Sequence, residues 1–224
     1  MDEVIVIMQL VNINNDLPII KPKQLDILPC GLSEIRDFVE KYHYSHNVNG
    51  VKIAQCFKLL YDNILVGGVI YGALSTTAWK RFSDSESKVL ELRRLVILDN
   101  ACKTSESHVI GKTIRYIKNK FPSVEVIVSY ADPMYGHSGI IYRASNFKYM
   151  GVTASDIGYL DQETGKTYHS RALRTKYKGD YKPFVKRLRA KLEAGLLKEV
   201  KLQGKHCYVY RLERKEHKHG NFKY

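Results

Sequence analysis

The 224 residues are 44% hydrophobic and 26% charged, which excludes a disordered chain, a collagen-like repeat and a coiled-coil rod. The net charge of +13 is not spread evenly: residues 1–165 hold 18 basic and 18 acidic side chains, whereas 166–224 hold 18 and 5. An excess confined to one quarter of the chain suits a polyanion, with nucleic acid first, or else a solvated basic tail.

Val4 to Val11 alternates and is rich in β-formers, so it reads as a first strand. Residues 12–29 read as a proline-punctuated connection. Ser33 can cap a helix whose Ile35, Phe38, Val39 and Tyr42 fall at helical spacing, ending near Tyr42-His43-Tyr44-Ser45-His46-Asn47. Residues 53–61 and 64–71 form a hairpin around Asp62-Asn63, and Gly67, Gly68 and Gly72 imply a bulge or a close backbone approach. Residues 73–88 read as a mobile loop and 89–98 as a strand. Thr104 or Ser105 caps a helix carrying Val109, Ile110, Thr113, Ile114 and Ile117, which Pro122 stops. The apolar run 124–130 is expected to be a strand buried on both faces. A short helix over 138–145, a strand over 147–152 and a hairpin around Glu163-Thr164-Gly165 follow. This order predicts the α/β class, with a mixed central sheet flanked by helices on both faces.

Residues 1–178 are expected to be the main domain and 179–224 a basic appendage. Pro183 and Gly195 bracket a helix with an apolar stripe, Phe184, Val185, Leu188 and Leu192. Its other face, Lys186, Arg187, Arg189 and Lys191, is offered to phosphates. Leu202 to Leu212, turning at Gly204, reads as a β-hairpin. Acidic Asp2 and Glu3 stand where a secretory signal would be positive, and no apolar window is long enough to cross a membrane, so a cytoplasmic protein is expected. Cys30, Cys56, Cys102 and Cys207 are scattered, which argues against a disulfide framework and a cysteine zinc site.

Four segments could carry chemistry. Ser129 to His137 leaves the end of the buried strand, where α/β sheets place their sites. Asp132 there can accept a hydrogen bond or a proton from an exocyclic amine. Asp132-Pro133-Met134-Tyr135 is similar to the Asp-Pro-Pro-Tyr signature of DNA amino-methyltransferases, whose aromatic residue stacks on a flipped base; an Asp-Pro turn with a packing tyrosine is the plainer reading. Tyr42 to Asn47 offers stacking tyrosines and His43 or His46 as acid or base, or simply a polar helix end. The His-x-x-His spacing lacks a matching carboxylate, so no metal is assigned. Arg93 and Arg94 interrupt an apolar strand, so one should face inward and need an anion or carboxylate, for which Asp132 is available. Lys103-Thr104-Ser105-Glu106-Ser107, opening the next helix, suits a phosphate or a plain cap.

Taken together, Glu91–Leu98, Lys103–Ser107, Val128–Pro133 with Gly136-His137, Ile141–Phe147 and Tyr149-Met150-Gly151 resemble the Mom DNA modification proteins of bacteriophages. Tyr42-His43-Tyr44-Ser45 is similar to that family's N-terminal motif and His169-Ser170-Arg171-Ala172-Leu173-Arg174 to its C-terminal one. The resemblance runs in order over residues 33–178. It implies a fold like that of the Gcn5-related N-acetyltransferases and conversion of adenine in double-stranded DNA to its N6-carbamoylmethyl (acetamido) form, which evades host restriction. It also implies an acyl-coenzyme A (acetyl-CoA) donor or another acyl carrier. The turn 100–107 has no glycine, however, whereas acetyltransferases of this fold cradle the pyrophosphate with a glycine-rich turn.

On this reading Asp132 is the base or N6 orienter and Tyr142 a positioning or proton-relay group. His43 and Tyr44 lie at the target base, and Arg94 anchors the site or the donor's anion. Lys103, Ser105 and Ser107 bind the donor. Tyr135, His137, His169, Arg171 and Arg174, with the four cations of the C-terminal helix, meet DNA. The partners implied are DNA and no membrane, for a monomer or a homo-oligomer. A conventional acyltransferase on a protein or small-molecule amine would share the fold but leave the local +13 unexplained. An adenine N6-methyltransferase would share Asp-Pro-x-Tyr but needs a glycine-rich cofactor loop that is not visible. A non-catalytic DNA-binding protein has no use for Asp132.

Overall fold

The computed structural model describes residues 17–48, 50, 52–74 and 77–213. The strand expected at Val4–Val11 and the basic run from Arg214 lie outside them. In chain order the elements are β1 (Asp26–Cys30), α1 (Arg36–Tyr42), β2 (Ile53–Tyr61), β3 (Ile64–Gly72), β4 (Val89–Ile97), α2 (Ser105–Lys120), β5 (Val126–Ala131), α3 (Ile140–Ala144) and β6 (Lys148–Val152). There follow β7 (Asp156–Asp161), β8 (Thr167–His169), β9 (Lys176–Tyr177), β10 (Asp180–Tyr181), α4 (Pro183–Glu193), β11 (Leu197–Leu202) and β12 (His206–Arg211). They form two compact units, each discontinuous in sequence. The first runs to Ser129 and adds Ile140–Lys148 and the chain from Tyr208; the second is Tyr130–Gly139 with Tyr149–Cys207.

The first unit is built on a mixed sheet in the order β1-β2-β3-β4-β5-β12. Strands β1 to β4 pair antiparallel, and β5 pairs parallel with β4. A parallel neighbour needs a crossover, and α2 supplies it. Its Val109, Ile110, Thr113, Ile114 and Ile117 are buried as their spacing predicts. The β2–β3 turn places Asp62 and Asn63 at φ 46° and 63°, the left-handed pair that matches strand twist in a two-residue hairpin. Gly67 and Gly68 are there for closeness. A Cβ on Gly67 would sit 2.6 Å from Val96 O, and one on Gly68 would press on Val39 of α1 and on Ile35 just before it. The Tyr71 hydroxyl, wholly buried, lies 2.8 Å from Thr113 Oγ1. Thr113 gives its own proton back to the Val109 or Ile110 carbonyl, so Tyr71 is the donor.

Three expectations are corrected here. Residues 26–30 are a strand, not a connection: β1 ends the sheet, and an edge strand tolerates Pro29. Ser33 lies in a 3-10 turn, Leu32–Glu34, and does not cap α1, which starts at Arg36 after Ile35. Residues 78–81 and 86–88 form 3-10 turns inside the expected loop.

The second unit contains a three-stranded sheet, β11-β7-β8, a two-stranded ribbon, β9–β10, and α4. Pro183 begins α4, and Gly195, at φ 72°, follows its end. Leu188 packs with Leu173 and Leu197, beside Tyr159 and Tyr168. The apolar stripe is less deeply buried than predicted, because Phe184 and Leu192 remain 43% and 37% exposed. The expected C-terminal hairpin does not form: β11 pairs with β7, and β12 lies next to β5. The connection is tied to Thr153 instead: Lys205 exchanges two hydrogen bonds with it, and a Cβ on Gly204 would collide with the Thr153 carbonyl.

Candidate active site

In the first unit the polar residues gather around Tyr142, on the short helix α3. Its ring packs against Phe147 and Tyr208 at 5.6 and 5.4 Å. Burial pushes its phenol up to about 12; the Ser129 hydroxyl beside it pulls the other way, and Tyr44, Glu106 and Glu91 add to the rise. At neutral pH the group is therefore a hydrogen-bond donor rather than a base. Ser129 is fully buried on β5 and donates to the Leu92 carbonyl, 3.0 Å away. Burial also raises the Glu106 carboxyl at the start of α2.

The segment after α1 is rigid through its own hydrogen bonds. The Ser45 backbone N–H donates to His43 Nδ1 at 3.1 Å, and the Ser45 hydroxyl lies 2.8 Å from the same nitrogen. A backbone N–H can only donate, so Nδ1 is the acceptor and Nε2 carries the proton in the neutral ring. His43, buried against Tyr44 with ring centroids 4.3 Å apart, thus presents a donor rather than the base allowed by sequence. His46 sits at φ 45° and donates from Nδ1 to the Glu40 carbonyl at 3.0 Å, closing the helix end. Among the described residues no three His, Cys, Asp or Glu side chains group closely enough to hold a metal ion.

Arg94 ties this segment to β4. Its Nε and Nη2 donate to the Asn47 carbonyl at 3.1 and 3.0 Å, and Nη1 donates to the Arg93 carbonyl at 2.7 Å. Burial lowers its pKa, Tyr44 raises it, Arg93 lowers it and Glu91 raises it. Its Nε, Nη1 and Nη2 each hold backbone, so Arg94 clamps the loop after α1 to β4. Neither arginine takes Asp132. Arg93, at a bulge in β4, donates from Nη1 to Glu91 and to the Ala73 carbonyl, both at 3.0 Å. Two residues apart on a strand, Glu91 and Arg93 share a face, which makes the local pairing cheaper than a distant one.

At the start of α2 the three donor candidates part. Lys103 is exposed. The Ser107 hydroxyl donates to the Thr104 carbonyl at 3.0 Å. Ser105 is completely buried, and its Oγ has no hydrogen-bond partner among the described residues. An orphaned buried hydroxyl in a first helical turn is the feature here that fits a polar ligand group.

In the second unit Asp132 is 6% exposed, and its side chain is fixed on both oxygens. Oδ1 accepts from the Met134 N–H at 3.1 Å, the cap of the 3-10 turn Pro133–Tyr135. Oδ2 faces Lys205 Nζ at 2.8 Å. Lys205 is held in turn at its backbone: its N–H donates to Thr153 Oγ1, and its carbonyl accepts from the Thr153 N–H, both at 2.9 Å. Sequence reasoning missed Lys205 because 73 positions separate it from Asp132; the one local sign was Gly204. Tyr135 and His137 follow Asp132 as exposed residues of the turn.

The His169–Arg174 motif is a strand end and a 3-10 turn. His169 Nδ1 accepts from the Arg171 N–H at 3.1 Å, and Nε2 lies 2.9 Å from Asp156. Burial and the Arg171 guanidinium hold the imidazole below its usual value, against the pull of Asp156. Arg174 donates to Ser170 Oγ at 3.2 Å. Both arginines are exposed.

The basic face of α4 is not the free phosphate surface that its sequence suggests. Lys191 turns inward to Asp161 and Glu163, each at 2.7 Å. Lys186 pairs with Asp180 at 2.6 Å, and the Arg189 guanidinium stacks 4.7 Å from the Tyr181 centroid. Among the described residues only Arg187 of the four has no such partner. Asp161 has to be matched because it is buried, and Lys191 is the cation within reach.

The first unit thus defines a mixed α/β protein with a polar cluster where β4, β5 and two helix termini meet. The chain belongs to the Mom protein family, whose pattern matches residues 24–224. It is 30% identical over 153 residues to the "Methylcarbamoylase mom" of Escherichia phage Mu, an alignment covering 66% of this chain and 61% of that protein. It therefore spans less than two thirds of that relative. Among solved structures it is similar to a GNAT family acetyltransferase from Elizabethkingia anophelis with acetyl-CoA bound, at 10% identity and a TM-score of 0.45. A Bacillus subtilis acetyltransferase in complex with CoA matches at 11% identity and a TM-score of 0.43. Each alignment covers 84% of this chain and 99% of the other. No helix among the described residues is long and apolar enough to cross a membrane.

Proposed function

We propose that the protein is a transferase that modifies phage DNA, converting adenine in the duplex to its N6-carbamoylmethyl form and so shielding it from restriction. The observation that carries this reading is the family match, which runs through every segment contributing to the Tyr142 cluster and to the Asp132 turn. The adenine amine is a poor nucleophile because its lone pair is delocalised into the ring, so it must be extruded, placed and relieved of a proton. In the first unit, Tyr142, kept protonated by burial, supplies an O–H, and His43 supplies a second donor through Nε2. Arg94 keeps His43 and Tyr44 in place by gripping Asn47. In the second unit, Asp132, taken by itself, is a candidate acceptor for an amine proton.

An acyl-coenzyme A donor would react at its thioester carbonyl and expel the thiol, giving an N6-acyl product; a carbamoylmethyl product would instead require a carrier that holds the amide nitrogen and a leaving group on the methylene carbon. Lys103 and the unpartnered Ser105 hydroxyl are the residues that would hold the donor; Ser107 is already engaged.

The test is mass spectrometry of nucleosides from the DNA of cells expressing the protein. The expected product is a deoxyadenosine in which a carbamoylmethyl group replaces one hydrogen. A methyl increment would point to methyl transfer, and an acetyl increment to simple acetyl transfer, which supplies no amide nitrogen. Either result, or unmodified DNA beside soluble folded protein, overturns the reading.

A further inference from the structure

Between Arg174 and Lys191 the chain has eight basic side chains and a single acidic one. Most of the eight are engaged. Lys186 takes Asp180, Lys191 takes Asp161 and Glu163, and Arg174 reaches Ser170. Tyr181 is flanked by Lys176 at 5.0 Å and Arg189 at 4.7 Å. These contacts fix the base of the β9–β10 ribbon against α4. They leave its tip unlike the rest of the surface. Lys178 and Gly179 turn the chain at φ 50° and 85°, a tight two-residue turn. Tyr177, just before them, is 61% exposed. Lys178 and Lys182 lie 5.7 and 5.5 Å from the Tyr177 ring centroid, and neither forms an ion pair among the described residues.

We infer that this ribbon tip is a duplex-DNA contact, with Lys178 and Lys182 on backbone phosphates and the Tyr177 ring against a base. The inference rests on DNA being the substrate. It moves the contact from the helix face that sequence suggested to the ribbon beside it. A two-stranded ribbon is narrow enough to enter the major groove. An exposed ring between two lysines matches a ligand with a π-face flanked by negative charge, as every nucleotide has. An anionic lipid surface would instead call for a broad apolar band, and here a single ring stands among cations.

The experiment uses the full chain and a fluorescent duplex of mixed sequence, titrated at several salt concentrations beside thermal unfolding. Lys178→Gln with Lys182→Gln should lower the slope of log affinity against log salt by up to about 1.8, at 0.9 per phosphate contact. Lys198→Gln with Lys201→Gln removes the same charge from β11 and should leave the slope nearly unchanged. Tyr177→Ala should weaken binding by roughly tenfold with the slope intact, and Tyr177→Phe should restore it. Equal effects of the two lysine pairs, wild-type affinity in Tyr177→Ala, or tighter binding to phosphatidylserine vesicles than to DNA would each overturn the ribbon contact. The nucleoside assay separates the two claims. Ribbon variants that bind and modify DNA as well as the wild type refute the ribbon alone. A wild type that binds through the ribbon yet leaves adenine unmodified refutes the reaction alone.

Discussion

Replacing Lys205 by Gln should show how firmly the candidate acid is held. The ammonium lies 2.8 Å from Asp132 Oδ2; the lysine side chain is 50% exposed and the aspartate side chain 9%. At that distance the gross attraction is about 1.5 kcal/mol in water and about 6 kcal/mol at an effective dielectric constant of 20. One partner is wet and the other dry, so the pair falls between these limits. Desolvation offsets part of the attraction, leaving a net value near 2 kcal/mol, as for hydrogen bonds to charged groups. Little backbone ordering opposes it, because the Lys205 main chain is already tied to Thr153 by two hydrogen bonds. Urea unfolding of Lys205→Gln, Asp132→Asn and the double variant forms a cycle. Each single change should cost about 2 kcal/mol, and the double should cost less than their sum by about 1.5 kcal/mol. A coupling below about 0.5 kcal/mol, the level of an ordinary surface pair, would show that Lys205 does not hold Asp132.

Three further outcomes are expected. Asp132→Asn should cut modification by ~100-fold or more while duplex affinity stays within error, if Asp132 takes the N6 proton; near-normal modification in the nucleoside assay would leave it only a turn residue. Lys191 holds the Asp161 carboxyl down at about 2, so the stability this pair adds is complete above the unfolded value of about 3.9 and is lost as pH falls toward 2. The melting temperature of Lys191→Gln should therefore lie below the wild type at pH 7, and the gap should close below pH ~4; a gap independent of pH would contradict the assignment. Tyr71→Phe deletes a buried donor but leaves Thr113 bonded to its own helix, so chemical denaturation should register a loss of about 1 kcal/mol.

The elements that were legible from sequence are those whose pattern is local. The Asp62-Asn63 turn, the buried face of α2 and the Pro183–Gly195 bracket each carry their signal within a few residues. Gly67 and Gly68 correctly announced a close approach, although not to which neighbour. Misread elements depended on distant partners. Pro29 argued against a strand because nothing local says that β1 lies at an edge. Residues 202–212 looked like one hairpin because the partners of β11 and β12, namely β7 and β5, lie far back in the chain. The site divides in the same way. Tyr142, His43, Tyr44 and Arg94 were marked by resemblance and by odd chemistry in apolar surroundings. The tautomer of His43, the clamp made by Arg94 and the grip of Lys205 on Asp132 exist only once separate segments meet. The α4 lysines were over-read for the converse reason: a helical wheel displays charge but not the buried Asp161 that claims Lys191.

The place of β12 in the first unit bears on how the chain is made. Its residues from Tyr208 on are synthesised after the second unit, yet β12 lies beside β5, whose Val126 to Ser129 are completely buried, and the Leu212 N–H closes onto the Glu125 carbonyl. While the ribosome is still producing the residues between them, β5 presents an apolar strand edge with no neighbour on that side. Such an edge invites pairing with another nascent chain. Yield in the host should therefore depend on chaperone capacity and on how quickly translation passes Leu212, and a ribosome stalled anywhere between β5 and β12 should leave a product that aggregates rather than a shortened enzyme.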